Sequence, residues 1–463
     1  MSESHLRGGH HHVFVAPPGA LQLPTIARAE GIYMWDTEGR RYIDVSAGPV
    51  VSNLGHGNPR VLEAMIEQAR NACFAWPTTF QNDANRLLAD RLASLAGPGL
   101  DRVFMVSGGS EAVESCLKFA RQYALAMGQG SRYKVIGRHP SYHGATLGAL
   151  AVTGDVDAEV MFGPMMHTMP KVPAPLSYRY PEGYDADSYA AHCAEAVEVE
   201  IQRQGPETVL AVILEPIGGL ATGALVAPDH YYRRVREICD AHGVLLIHDE
   251  VMSGAGRSGK FLAGHHWPDA RPDLVALAKG IGAGYTPLGI MLAPDRMVRA
   301  VVEAGGFAHG HTYNANPLTC AVGRAVLEET IARDLVANAA RQGERLRNGL
   351  QALAAEQSLI GDVRGRGLLL AVELVADPAT KTMLPRELQA PARLCQLARE
   401  FGLVLYARRT NRGAFGDWLM LTPPLTITGE EVDEIVQRLG CTLAAYRREL
   451  EAQRVPLGRE MVS

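Results

Sequence analysis

Short apolar runs closed by acidic or basic residues mark the middle of the chain. Val209–Leu214 and residues 243–248 are two such runs; Glu215-Pro216 follows the first and Asp249-Glu250 the second. A third run, residues 273–278, ends at Lys279-Gly280. Runs of this length without alternation, flanked by Gly and Pro, read as buried strands of a largely parallel sheet. Upstream, Arg102–Val106 and residues 133–138 read the same way. The first leads into Ser107-Gly108-Gly109-Ser110-Glu111-Ala112 and the second into Ser141-Tyr142-His143-Gly144. Val113, Cys116, Leu117, Ala120 and Ala124 then fall at helical spacing. Near the start of the chain, residues 31–44 alternate about a turn at 36–39 and predict a hairpin. Asn58-Pro59 opens a helix through Ala72, and a second helix is expected over 83–96. Residues 1–30 read as an arm or irregular lead-in. Residues 155–205 read as a Pro-bearing excursion that closes in a helix over about 188–203.

A glycine-rich loop at 305–314 precedes a helix over Pro317–Ala332. From about Asp334 the pattern changes to one long helix, then strands at 367–375, 403–407 and 418–421. Thr428 and Glu431 form a capping box, and Val432, Ile435, Val436 and Leu439 carry a last amphipathic helix. The division expected is an arm and part of a small domain over 1–59, a large domain over 60–333, and the rest of the small domain, α+β in character, over 334–463. No internal repeat is evident.

Composition narrows the class without choosing it. A hydrophobic fraction of 47% and a charged fraction of 21% are those of an ordinary globular protein. A formal net charge of −5 gives no reason to expect nucleic acid or an anionic membrane as partner. No apolar stretch reaches the roughly 18 residues that span a bilayer, and the first twenty lack a signal peptide's apolar core. The seven cysteines lack metal-ligand spacing and read as buried free thiols in a reducing cytoplasm.

The chemistry is expected at the strand ends, because polar residues just past parallel strands converge on one crevice. Asp249 and Lys279 would then face the same cavity. A lysine there can form an imine with the aldehyde of pyridoxal phosphate, while an aspartate pairs with the protonated ring nitrogen. A solvated turn lysine and a helix-capping aspartate are the plainer alternative. The turn at 107–110 is a candidate anion site at a helix N-terminus, or an ordinary turn with Ser110 as N-cap. Residues 254–260 have the spacing of a nucleotide-binding phosphate loop, but Phe261 stands where a magnesium-binding Ser or Thr is required. His10–His12, His265-His266 and His309-x-His311 lack the partners of a metal site, so no metal is expected.

Taken in chain order, Ser107-Gly-Gly-Ser-Glu-Ala, Ser141-Tyr-His-Gly, Glu215-Pro216, Asp249-Glu-Val, Lys279-Gly280 and residues 310–317 resemble the class III pyridoxal-phosphate aminotransferases, the ω-aminotransferases. The resemblance runs from the hairpin near Tyr33 to residues 422–428. It implies an α/β fold of type I: a large domain with a mostly parallel central sheet, and a smaller α+β domain built from both chain ends. It also implies a homodimer with active sites at the interface. By the same resemblance, Lys279 would form the internal aldimine and Asp249 would pair with the ring nitrogen. Val251 and Tyr142 would take the two ring faces. Gly109 and Ser110 would hold the phosphate, with Thr312 of the neighbouring subunit. Val50, Trp76, Glu215 and Arg412 are the candidate substrate contacts, with Arg409 second to Arg412 for an acceptor carboxylate. Two departures stand out. Met252 replaces a glutamine that many relatives direct at the cofactor's phenolic oxygen, and Val50 replaces a tryptophan found in some amine-specific relatives. The implied activity is transamination from an amine or ω-amino acid to an oxo acid, pyruvate before 2-oxoglutarate, by ping-pong kinetics. A same-family aminomutase and, more distantly, a nucleotide-binding protein using 254–260 are the rivals.

Overall fold

The computed structural model describes residues 23–407 and 411–458. Strands β2 (Tyr33–Asp36) and β3 (Arg41–Asp44) form the expected hairpin, with Gly39 N donating to Asp36 O across the turn. Asp36 stabilises that turn further by accepting from Glu38 N, Arg40 N and the Tyr42 hydroxyl. Residues 1–22 of the expected lead-in, with His10–His12, lie outside the described residues, and the rest is more ordered than its sequence suggests. Residues Ile26–Glu30 form β1, which pairs antiparallel with β2. Its side chains are mostly exposed, so the strand is held by its backbone ladder and leaves no apolar alternation to read.

Seven strands make the central sheet: β4 (Arg102–Val106), β5 (Lys134–His139), β6 (Lys171–Pro173), β7 (Val209–Leu214), β8 (Leu245–Asp249), β9 (Leu274–Leu277) and β10 (Gly289–Ala293). Their order is β4-β10-β9-β8-β7-β5-β6. Strand β10 runs antiparallel to both neighbours, and the other strand pairs are parallel. Every residue of β7, β9 and β10 is buried, which explains their unbroken apolar runs. On one face, the helices Gly109–Ala126 and Asp295–Glu303 pack Phe119, Met297 and Val301 against Ile213, Ile247 and Ala276. On the other, Ala186–Gln204 and Asp229–His242 pack Ile201, Val235 and Ile238 against Ile136, Val212 and Leu246.

The last third of the chain adds β11 (Ile360–Arg366), β12 (Leu369–Leu374), β13 (Leu403–Val404) and β14 (Asp417–Leu421). Strands β11, β12 and β14 form an antiparallel sheet, whereas β13 lies parallel to β3, with Leu403 opposite Ile43. The two chain ends therefore share one sheet, and Ile43, Leu394, Leu403 and Leu439 share one core. Sequence pattern overstates the strands at 367–375 and 403–407, which shorten to β12 and β13. It passes over β11 and β10 entirely, along with the helices Asp229–His242 and Ala390–Glu400. Of the seven cysteines, Cys73 and Cys441 are exposed and Cys395 half-buried, a correction to the expectation that all are buried. Among the described residues no helix is long and apolar enough to cross a membrane.

The capping box forms as expected: Glu431 N donates to Thr428 Oγ1 at 3.3 Å and Thr428 N to Glu431 Oε2 at 2.9 Å. Thr428→Ala should cost about 1 kcal/mol of unfolding free energy. The readout is a lower urea midpoint at unchanged slope, and an unmoved midpoint would show that the box adds nothing to the helix Gly429–Ala452.

Candidate active site

Five strand exits meet at one cavity of about 400 Å³. Strand β4 delivers residues 107–110, β5 delivers Tyr142 and His143, β7 delivers Glu215, β8 ends in Asp249, and β9 leads to Lys279. Asp249 and Lys279 thus line the same cavity, at the ends of adjacent parallel strands.

Lys279 sits in a left-handed conformation (φ 48°), and its carbonyl accepts from Gly282 N and Ala283 N, so the turn after β9 is held by its own backbone. Burial lowers the Lys279 amine to about 8, against the opposing pull of Asp249 and Glu215. Asp249 is fixed at both oxygens: Val251 N donates to Oδ1 at 3.0 Å and His143 Nδ1 to Oδ2 at 2.8 Å. Because the carboxylate only accepts, the His143 proton is on Nδ1. The ring's other nitrogen is buried without a partner. His143 is anchored in turn by its own backbone N–H, which donates to Thr153 Oγ1 at 2.8 Å.

Glu215 is buried, with Oε1 accepting from Gly219 N at 2.9 Å. Behind it lies the fully buried guanidinium of Arg138, which donates to Glu215 O at 2.7 Å and stands 3.9 Å from Oε2. Burial raises the Glu215 carboxyl above the ordinary range, although His143 and Arg138 pull it down.

The helix Gly109–Ala126 starts at Gly108 with no side-chain cap. Its first N–H groups lack intrahelical acceptors and lie at the cavity wall formed by Gly108, Gly109 and Ser110. Ser110 is therefore not the N-cap; its Oγ accepts from Ala145 N at 3.0 Å. A Cβ on Gly109 would lie 2.9 Å from Val251 Cγ1, so the two pack directly. Tyr142 lines the cavity and stays 39% exposed.

Other expected contacts lie elsewhere. Val50 is in the core, 2% exposed, because Ala47, Gly48 and Val50 all take positive φ and turn it inward; Pro49 and Val51 line the cavity instead. Trp76 and Thr312 line a separate hollow of about 910 Å³ with His309 and His311. Arg412 points away, its Nε 2.6 Å from Asp157 Oδ1 on the surface, while the adjacent Asn411 lines the cavity. Arg409 lies outside the described residues. The loop at 254–260 is no open phosphate cradle. A Cβ on Gly256 or Gly259 would meet Val336 or Ala340, and the Arg257 guanidinium is spent on Leu368 O, Thr422 O, Pro423 O and Asn53. His265 and His266 bond to the carbonyls of Ala96 and Ser258. Arg138 and the Asp249 bond of His143 were missed by sequence reasoning. Nothing marks an arginine near a strand end as buried, whereas His143 could have been suspected from its place beside Tyr142.

A buried amine, a carboxylate anchored on a histidine, an uncapped helix start, a valine and a tyrosine form a coherent donor set. They fit an aldehyde-bearing aromatic phosphate such as pyridoxal phosphate. The chain belongs to the class III aminotransferases, whose family model matches residues 15–443. That family is dependent on pyridoxal phosphate. Among its relatives, the chain is 35% identical over 422 residues to a diaminobutyrate–2-oxoglutarate transaminase of Halomonas elongata, covering 89% of this chain and 88% of the relative. It is 34% identical to a putrescine–pyruvate aminotransferase of Pseudomonas aeruginosa, covering 89% and 88%. A crystal structure of an amine transaminase from an uncultivated Pseudomonas species, in its pyridoxal-phosphate-bound internal aldimine form, superposes with TM-score 0.87 at 35% identity. The match covers 95% of this chain and 98% of the other.

In the cofactor-free chain, titrating Lys279 with an amine-reactive reagent should give a midpoint of about 8, not the ordinary 10.5. Asp249 favours the ammonium form, so Asp249→Asn should move the midpoint lower still. A rise, or no change, would mean the carboxylate does not act on this amine.

Proposed function

We propose that the chain transfers an amino group from an amine or ω-amino acid to an oxo acid in two half-reactions, by ping-pong kinetics. Pyruvate is the favoured acceptor and 2-oxoglutarate the alternative. The single observation that carries this reading is Lys279 and Asp249 on one cavity at neighbouring strand ends. When bound, pyridoxal phosphate supplies an electrophilic carbon for the amine and an aromatic sink for the charge that develops at the substrate carbon. Asp249, held by His143, would pair with the ring nitrogen. The helix start at Gly109 and Ser110 would take the phosphate, joined by Thr312 of a second copy, and Val251 and Tyr142 would cover the ring faces. Lys279 would hold the cofactor covalently, and its free amine is the group placed to take the proton from the substrate carbon.

The pocket on the substrate side is walled by Pro49, Val51, Ile217, Leu220 and Met252, an apolar lining suited to an amine's hydrocarbon body. Met252 leaves the cofactor's phenolic oxygen without a partner from that position. Arg412 receives the acceptor carboxylate. Its present bond to Asp157 is exposed, and such pairs are worth only about 0–1 kcal/mol, so a carboxylate that offers a bidentate partner competes for it. Glu215 offers a place for the same guanidinium when an uncharged donor occupies the pocket. A homodimer is supported by exposed Phe74, Trp76 and Tyr313 near Thr312, apolar surface that a lone chain would leave in water. Unpaired cysteines suit a reducing cytoplasm.

Incubated with pyruvate and a panel of amines, the protein should form alanine, and Lys279→Ala should abolish both turnover and the visible absorbance of the bound cofactor. A Lys279→Ala protein that keeps either removes the assignment. Arg412→Ala should raise the acceptor KM about tenfold or more while changing the donor KM little; an unaltered acceptor KM identifies the wrong arginine.

A further inference from the structure

Pro49 and Val51 line the cavity, and two residues further on Asn53 touches the lysine's own turn. Asn53 is 2% exposed and uses its whole side chain. Oδ1 accepts from Arg257 Nη2 at 2.6 Å, and Nδ2 donates to Ala255 O at 3.1 Å. Its backbone carbonyl accepts from Leu425 N at 2.8 Å. The amide also lies flat against Gly280, the residue after Lys279: a Cβ there would fall 2.3 Å from Asn53 Nδ2. One turn further, a Cβ on Gly284 would fall 3.2 Å from Ser52 Oγ and 3.6 Å from Val51 Cγ1. Residues 51–53 therefore run along the turn at 280–284, in contact with it at both ends.

Arg257 completes the arrangement. Its guanidinium is buried and reaches Asn53 together with the carbonyls of Leu368, Thr422 and Pro423. The Asn53 side chain is thus clamped between the loop that follows Asp249 and the turn that carries Lys279. Its backbone belongs to the segment that supplies Pro49 and Val51 to the pocket.

We propose that Asn53, clamped by Arg257, is a positioning residue that holds the Lys279–Gly280 turn and the Pro49–Val51 pocket wall in one fixed relation. It does not touch the reacting atoms. It decides where the lysine stands relative to the wall against which the donor's hydrocarbon body packs. The inference rests on the reading of Lys279 as the reacting amine.

Gly280→Ala, Asn53→Ala and the double variant test it in the full chain, through donor kcat and KM, thermal midpoint and the pH midpoint of Lys279 labelling. Gly280→Ala drives a methyl into the Asn53 amide and should cost about a hundredfold in kcat/KM, the scale of an ångström's misplacement. Asn53→Ala should cost about tenfold, shared between kcat and KM, and raise the labelling midpoint as water reaches the turn. In the double variant the shortened residue 53 makes room for the methyl, so kcat/KM should return to within about threefold of Asn53→Ala. A double variant as impaired as the product of the two singles overturns the proposal. So does an Asn53→Ala protein that loses thermal stability but keeps kcat, KM and labelling midpoint, since that is a structural strut only. Should Gly280→Ala fail to fold, a soluble double variant with the constants of Asn53→Ala supports the proposal, and an insoluble one overturns it. Labelling of Lys279 separates the two levels of inference. If transamination were the wrong activity, turnover would be absent throughout, yet the labelling midpoint would still report whether Asn53 positions the turn.

Discussion

The opposition between burial and charge at Lys279 is the constraint on which the site depends. Enclosure by protein disfavours the ammonium form, while Asp249 and Glu215 favour it, and enclosure wins, leaving the amine at about 8. The consequence is quantitative. At pH 7 roughly a tenth of such lysines are neutral and nucleophilic, against roughly one in three thousand for an ordinary lysine. Without the carboxylates the amine would fall further. Without the enclosure it would stay charged. Asp249 can play its part because both its oxygens already have donors, Val251 N and His143 Nδ1, so its direction is settled before any ligand arrives.

Strand direction is what assembles these groups. Parallel strands end on one edge, so β5, β7, β8 and β9 deposit Tyr142, Glu215, Asp249 and Lys279 side by side. The reversed strand β10 has a specific effect within this plan. It carries the chain from the lysine turn back between β9 and β4, and brings Thr286, Pro287 and Leu288 to the cavity. Gly289 at its start lies so close to the 107–110 turn that a Cβ would fall 2.2 Å from Gly108 O. The lysine turn and the helix start that suits a phosphate are therefore neighbours because one strand runs backwards.

What could be read in the sequence follows from this geometry. Fully buried strands leave unbroken apolar runs, and the polar residue that ends each run is the one the sheet delivers to the cavity; Glu215, Asp249 and Lys279 were legible for that reason. Legibility fails where backbone conformation, not side-chain pattern, decides direction. Val50 looks like a pocket residue until three positive φ angles in 47–50 turn it into the core. Strand β1 is held by its ladder and not by an apolar face. Strand β11, Ile-Gly-Asp-Val-Arg-Gly-Arg, has two glycines and three charged residues where alternation would be sought. Arg138 illustrates a further limit: an arginine near a strand end reads as a surface residue, and only the fold shows it buried behind Glu215. Trp76, expected at the substrate, lines a separate hollow with Thr312, which the resemblance assigns to the neighbouring subunit's site.

The loop at 254–260 shows how one glycine pattern serves two unrelated ends. In a phosphate loop, glycines free backbone N–H groups to face an anion. Here the positive φ of Gly256 and Gly259 and their missing side chains let the loop press against Val336 and Ala340 of the helix Leu335–Glu356. The cation in the loop differs as well. Arg257 points inward to three carbonyls and the Asn53 amide, and burial lowers it to about 9 against the opposing pull of Asp44. A buried guanidinium is costly to desolvate, and here Nη1 and Nη2 offset part of that cost by bonding segments far apart in the chain, while Nε is buried without a partner. The segments it ties are the stretch that holds Asn53, the ends of β12 and β14, and the loop that follows Asp249. The spacing that resembles a nucleotide cradle is thus better explained as the seat of an internal brace that joins these segments behind the cavity.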